Sequence, residues 1–207
     1  VVLVTSGPTR EALDPIRFLT NASSGRMGFA LAQRARMLGA RVIVVSGPTT
    51  LKPSAGVRVE FVTTGLEMFK RVMALRVKAD VVIGAAAVSD WRFENRSPLK
   101  LKRGPGRLRL TMLPNPDIIK AVATGRPPGR RQIVVGFALE THEQLAHARK
   151  KLVAKGLDAI VVNGPAALTD KRSQAVILRR DGSTRALPET SKAALAAAIF
   201  REVETLW

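Results

Sequence analysis

Ala79 to Ala87 reads ADVVIGAAA, the most apolar run in the chain. Three β-branched residues followed by Gly84, Ala85, Ala86 and Ala87 predict a strand at the centre of a parallel sheet, covered on both faces, with a small-residue end that leaves room for a ligand. Towards the amino terminus, a strand over 57–62 precedes a helix over 66–76. RVIVV (Arg41 to Val45) is another buried-type strand, closed by SGPTT. Before it, VVLVTSG (Val1 to Gly7) reads as a strand, then a long loop, then a helix over 25–40 with Met27, Ala30, Leu31, Ala35 and Leu38 at helical spacing. Towards the carboxyl terminus the pattern breaks over 89–114. There LKLKR and RLRLTML flank Gly104-Pro105-Gly106, which predicts a basic β-hairpin flap across 91–113. The rhythm resumes with a helix over 115–123, an exposed loop over 125–131, a strand over 132–138, a helix over 141–155 and a strand over 157–162. A late hairpin (175–178 with 184–187) and a terminal helix from Thr190, as N-cap, to Leu206 complete the chain. This alternation predicts a single α/β domain, 1–207, with a doubly wound, mostly parallel Rossmann-like sheet.

Composition narrows the chemistry. The chain has no cysteine, which excludes a disulfide framework, a thiolate metal site and a cysteine nucleophile. Thirty-four Lys and Arg against sixteen Asp and Glu give a formal charge of +18, which favours phosphorylated ligands or nucleic acid. With 4% aromatics and no tyrosine, stacking platforms for single strands are scarce, so no nucleic-acid partner is expected. No apolar run approaches the roughly 20 residues of a membrane span, so the expectation is a cytoplasmic protein with no membrane partner. The chain opens on valine, which suggests a domain of a longer, fused protein.

Between the first strand and first helix lie GPTRE (Gly7 to Glu11) and DPIRFLTNASSGRMG (Asp14 to Gly28). Hydroxyl residues and glycines at such a junction suit anion binding by backbone N–H groups and the helix terminus. A capped turn with Ser23 or Ser24 as N-cap is the plain alternative. No G-x-G-x-x-G or G-K-[ST] occurs, which disfavours an NAD enzyme and a P-loop NTPase. Lys151 and Lys155 are spaced to share a helix face. Alternating lysines in LKLKR could face a polyphosphate or simply protect an edge strand.

The ordered series GPTRE, DPIRF-TN-SSGRMG, VSGPT, GAAAVSDWR, LKLKR, PNPDI, VGFALET and KGLD-IVVN resembles the phosphopantothenoylcysteine synthetase family, the ligase half of bacterial coenzyme A fusion proteins. The resemblance spans nearly the whole chain. It implies that phosphopantothenate and L-cysteine are joined through an acyl-cytidylate, with CTP as co-substrate, CMP and pyrophosphate as products, and Mg2+ accompanying the nucleotide. It implies catalytic roles for Asn21, in the amine step, and Lys100, in nucleotide activation, and a substrate-phosphate role for Arg17. Its nucleotide-binding set is Ser23, Ser24, Gly25, Gly84, Ala85, Ala86, Asp90, Lys100, Pro116, Asp117, Ile118, Ile119, Phe137, Lys151 and Lys155. It implies no protein metal cage, a homodimer built through the flap or the late hairpin, and a decarboxylase fused or partnered with the ligase. Three positions depart from the family pattern: Pro8 in the first turn, Arg103 in the flap and Ser173 in the late hairpin. His142 and His147 match no catalytic position and read as surface helix residues. A NAD(P)-binding reductase and a basic RNA-binding module are the rival classes.

Overall fold

The computed structural model describes residues 1–139, 142–164 and 172–207. The strands β1 (Val2–Ser6), β2 (Arg10–Ala12) and β3 (Phe18–Thr20) come first, then α1 (Arg26–Met37), β4 (Val42–Ser46), β5 (Arg58–Phe61) and α2 (Gly65–Leu75). After β6 (Val81–Gly84), β7 (Trp91–Phe93) and β8 (Met112–Pro114) come α3 (Ile118–Thr124), β9 (Ile133–Leu139) and α4 (Gln144–Lys155). β10 (Ala159–Asn163), β11 (Arg172–Arg179), β12 (Thr184–Ser191) and α5 (Lys192–Leu206) complete the order.

The main sheet has eight strands in the order β12-β11-β10-β9-β6-β1-β4-β5. Its members from β5 to β10 are parallel, and β11 and β12 continue it antiparallel. Among the parallel strands this is the doubly wound order, with the first strand beside the fourth. The strands alternate sides. Val2 and Val4 pack with Leu31 and Ala35 of α1 and Leu195 and Ile199 of α5. Leu3 faces the other way, onto Met68 and Val72 of α2, Val122 of α3 and Leu152 of α4.

The sequence reading needs correction in several places, each with a local cause. The long loop before α1 contains a hairpin of its own, β2 with β3, in which Glu11 is buried and accepts a hydrogen bond from Gly65 N at 2.8 Å. The central strand stops at Gly84, because Ala86 N bonds the Thr5 hydroxyl and Ala87 bridges Pro8 instead of continuing beside β9. LKLKR forms no strand. The flap is paired only at its base, where Trp91 to Phe93 oppose Pro114 to Met112, and the Gly-Pro-Gly segment forms no tight two-residue hairpin. The late hairpin is longer than its apolar core suggests and forms the edge of the main sheet. α1 is capped by Gly25 with no side-chain cap, so neither Ser23 nor Ser24 serves. α3 begins after the Asp117 cap, and α5 is capped by Ser191, not Thr190. α4 begins at Gln144, which leaves His142 ahead of the helix; the expected start at Thr141 lies outside the described residues.

α1 sits unusually close to β1. A Cβ on Gly28 would lie 2.4 Å from Ser6 Oγ and 2.5 Å from Ser6 Cβ, while Ser6 Oγ donates to Gly25 O at 3.0 Å. Gly28→Ala is therefore expected to destabilise the fold by about 1–3 kcal/mol through overpacking, read as a lower urea midpoint. An unchanged midpoint would contradict this seating of the helix.

Candidate active site

Between β1 and β6 the winding of the sheet reverses, and the chain must satisfy the backbone groups at the carboxyl ends of both strands. Ala87 N donates to Gly7 O at 2.9 Å, Ala86 N to Thr5 Oγ1 at 3.2 Å, and Ser89 N to Thr9 Oγ1 at 3.0 Å. These bonds carry the chain beyond β6 across the top of β1. Asn21 fastens to the same seam, its Nδ2 donating to Ala87 O and Val88 O at 3.1 Å each. Asn115 does so from the far side, its Nδ2 donating to Ser89 O at 2.9 Å.

Above this seam lies a cleft of about 460 Å3. Its walls include Asn21, Ser23, Ser24 and Gly25 before α1, Gly84, Ala85, Ala86 and Asp90 after β6, Pro116 to Ile119 at the start of α3, Phe137 on β9, and Lys151 and Lys155 on α4. All the residues expected at a nucleotide site, Lys100 excepted, thus meet in one place. Gly25 adopts φ 78°, and a Cβ there would lie 3.2 Å from Gly7 Cα, so the small residue is needed for both conformation and space. Asp117 caps α3 through Lys120 N at 3.1 Å and pairs with Lys155 Nζ at 3.0 Å, which joins two expected nucleotide contacts. Arg26, Lys151, Lys155 and Lys192 against Asp90 and Asp117 leave the cleft basic.

Two expected site residues stand apart. Lys100 is exposed on the flap and Arg17 lies at the β2–β3 turn, neither forming a cleft wall. Arg17 Nε and Nη2 donate to the buried Asp14 Oδ2 at 2.9 and 2.6 Å, and Nη2 also donates to Leu101 O at 2.7 Å. The Arg17 guanidinium, followed by backbone N–H groups from residues 16, 17 and 101, holds the Asp14 carboxyl well below the usual carboxylate range against the opposing effect of desolvation.

Residues 1–206 match the family model of the DNA/pantothenate metabolism flavoprotein C-terminal domain. The chain belongs to this family. It is 40% identical over 210 residues to the coenzyme A biosynthesis bifunctional protein CoaBC of Vibrio vulnificus (strain YJ016), covering 99% of this chain and 52% of that protein. Against the crystal structure of the C-terminal domain of a CoaBC, the TM-score is 0.84 at 35% identity, covering 99% of this chain and 94% of that one. The Cab2 mutant H337A in complex with phosphopantothenate-cysteine shares the fold at 17% identity, with a TM-score of 0.80 and coverage of 99% and 86%. The chain spans about half the length of the curated relatives it matches.

Within this family frame the cleft also has walls outside the expected nucleotide contacts, among them Asn163, which closes the KGLD-IVVN motif, and Asn115 of PNPDI. Asn163 ends β10 with 5% exposure, and its Oδ1, like that of Asn115, is buried and has no hydrogen-bond donor among the described residues, so a ligand's N–H or O–H could pair with either. Lys192, the first residue of α5 and also buried, donates to Ser173 Oγ at 3.0 Å, which places the departure at Ser173 against the cleft. A polar residue ending a buried strand was the available signal for Asn163; nothing local marks Lys192. A second cavity, of about 540 Å3, lies at the opposite, amino-terminal end of β9 and β10. It is lined by Arg126, Arg130, Arg131, Arg179 and Arg180, but these are engaged by Asp158, Asp80, Glu202 and backbone carbonyls, a structural network rather than a ligand site. Among the described residues no helix is long and apolar enough to cross a membrane.

Because the folded Asp14 carboxyl titrates below its unfolded value of about 3.9, its stabilising contribution is present above that value and is lost as pH falls towards the folded one. The unfolding free-energy difference between wild type and Asp14→Asn should hold constant from pH 8 to about 5 and narrow on further acidification. A difference that widens with acid, in urea melts across this range, would contradict the depressed titration.

Proposed function

We propose that this domain is the phosphopantothenate–cysteine ligase of coenzyme A biosynthesis. It would activate 4′-phosphopantothenate with CTP and transfer the acyl group to the amine of L-cysteine. The observation that carries this reading is the convergence of Gly84 to Ala86, Asp90, Pro116 to Ile119, Phe137, Lys151 and Lys155 on one cleft with Asn21 and Ser23 to Gly25. The name of the CoaBC relatives supports the pathway.

In the first step a substrate carboxylate oxygen attacks the α-phosphorus of CTP, the bond to pyrophosphate breaks, and an acyl-cytidylate forms. Small side chains at Gly84 to Ala86 let a nucleoside lie against backbone, while Lys151, Lys155 and Lys100 of the flap offset triphosphate charge. Arg17 takes the substrate's phosphate. In the second step the cysteine amine attacks the acyl carbon, loses a proton, and CMP leaves. Asn21 is the donor for the oxygen on which charge develops; its two amide protons rest on Ala87 O and Val88 O, so one of those bonds must exchange for the substrate.

For Mg2+, no cluster of three or more acidic or histidine ligands occurs among the described residues. Asp117 is paired with Lys155, so Asp90 is the cleft carboxylate to face an ion that comes with the nucleotide. Such an ion would compensate charge on the departing pyrophosphate. The reading includes a cytoplasmic setting and phosphopantothenoylcysteine decarboxylase, fused or partnered, as the next activity, in line with the bifunctional relatives.

A homodimer completes the proposal. Ile16, Phe18, Leu19, Trp91, Leu99 and Leu108 are exposed on the β2–β3 hairpin and the flap, where β2 packs beside β7. Phe18→Glu with Trp91→Glu should shift sedimentation from dimer to monomer; an unchanged profile would remove this face as the contact.

Pyrophosphate release is the decisive assay, run with phosphopantothenate, cysteine and each of the four nucleotides. Release is expected with CTP, and silence with all four would end the ligase reading. Asn21→Asp should still release pyrophosphate while acyl-nucleotide accumulates, whereas Lys100→Gln should lose the first step by about 100-fold or more. The reverse pattern would exchange or remove the two roles.

A further inference from the structure

We propose that Asp14 is a positioning residue that locks the Arg17 guanidinium and the flap at Leu101 into one arrangement, so that a single carboxylate places the substrate's phosphate relative to Lys100. The roles of Arg17 and Lys100 rest on the ligase reading; the latch itself does not.

The two oxygens of Asp14, which is only 2% exposed, divide the work. Oδ1 accepts from Ile16 N and Arg17 N, both at 2.8 Å, and so builds the turn between β2 and β3. Oδ2 accepts from Arg17 Nε at 2.9 Å, Arg17 Nη2 at 2.6 Å and Leu101 N at 3.2 Å. Arg17 Nη2 closes the ring by donating to Leu101 O at 2.7 Å. Nε and Nη2 are therefore committed, and among the described residues Nη1 has no partner. The guanidinium side chain is 45% exposed, so Nη1 is the edge it can offer to a phosphate.

The flap depends on the same ring. Its ladder ends at Phe93 with Met112, followed by Glu94 N to Thr111 O at 3.1 Å. From residue 95 to 110, the hydrogen bonds to the rest of the chain among the described residues are Ser97 N to Leu13 O and those of Leu101 to Asp14 and Arg17. Leu101 sits between Lys100 and Lys102, so fixing its peptide fixes where both ammonium groups start. The depressed titration of Asp14 means that the latch stays charged wherever the protein is folded near neutral pH.

Asp14→Asn is a matched probe. The amide oxygen can still accept at the turn, but an NH2 in place of Oδ2 cannot accept from Arg17 or Leu101. Leu101→Pro removes the flap-side donor while leaving Asp14 and Arg17 in place, at the cost of restricting the backbone at Lys100, and it serves as well if Asp14→Asn fails to fold. Tryptic cleavage after Lys102, Arg103, Arg107 or Arg109, timed by mass spectrometry, reads flap release without turnover. Both variants should be cut at least about tenfold faster than wild type, with unchanged circular dichroism. In turnover, Asp14→Asn should raise KM for phosphopantothenate about tenfold by freeing Arg17, whereas Leu101→Pro should lower kcat with that KM near wild type. Unchanged flap cleavage in the variants, or an Asp14→Asn that loses kcat at constant KM as a merely structural change would, overturns the proposal. A wild type that releases no pyrophosphate with any nucleotide overturns the ligase reading alone, because cleavage still decides the latch.

Discussion

Everything at the candidate site hangs on the polar seam between the carboxyl ends of β1 and β6. At that point the winding of the sheet reverses, and peptide groups that a continuing ladder would have paired need other partners in a dry setting. The two segments supply them to each other, through Ala87 with Gly7, Ala86 with Thr5 and Ser89 with Thr9. Because this seam is hydrogen-bonded on both sides, the Gly84 to Ala86 wall has a fixed height above the sheet. Asn21 and Asn115 reach the same carbonyl row from opposite directions. A binding cleft at the switch point is thus a by-product of satisfying the backbone there.

The two ends of the sheet use charge differently. At the amino end, arginines tie loop to loop and strand to helix: Arg126 to Asp158 and Arg130 to Asp80 between loops, and Arg179 of β11 and Arg185 of β12 to Glu202 of α5. Glu202 is buried, and its arginine partners outweigh the cost of desolvation and hold its carboxyl below the ordinary range. Much of the chain's basicity is therefore mechanical. At the carboxyl end the cations come from separate elements, α1, α4 and α5, and share a cleft with fewer acids. A high net charge by itself could not have separated these two uses.

The flap and the β2–β3 hairpin form a second level of organisation, outside the main sheet. Neither has enough apolar alternation to bury itself, and the flap leaves Trp91, Leu99, Leu108 and Leu110 on the surface. What orders them is a buried carboxylate bonded to a guanidinium and a peptide. Such a unit is directional, unlike apolar packing, and can set the relative position of two groups that lie far apart in sequence.

The amino-acid sequence by itself determined the layers. Runs such as VVLVTSG, RVIVV and ADVVIGAAA, bounded by turn residues, suit strands covered on both sides, and the helices between them carry their apolar stripes at the matching period. The ordered motifs also marked most of the cleft walls, because loops at strand ends carry the glycines and hydroxyls that a close-lying ligand demands. Tertiary structure alone decided the rest. Polar residues such as Asp14, Asn115, Asn163 and Lys192 carry no periodic signal, since their burial follows from partners up to 87 positions distant, as with Asp14 and Leu101. The flap's alternating LKLKR resembles a strand only until pairing is counted, and among the described residues no opposing segment supplies its ladder. Hydrophobic periodicity is a local property and survives in sequence, whereas a hydrogen bond between distant segments exists only once the fold has brought them together.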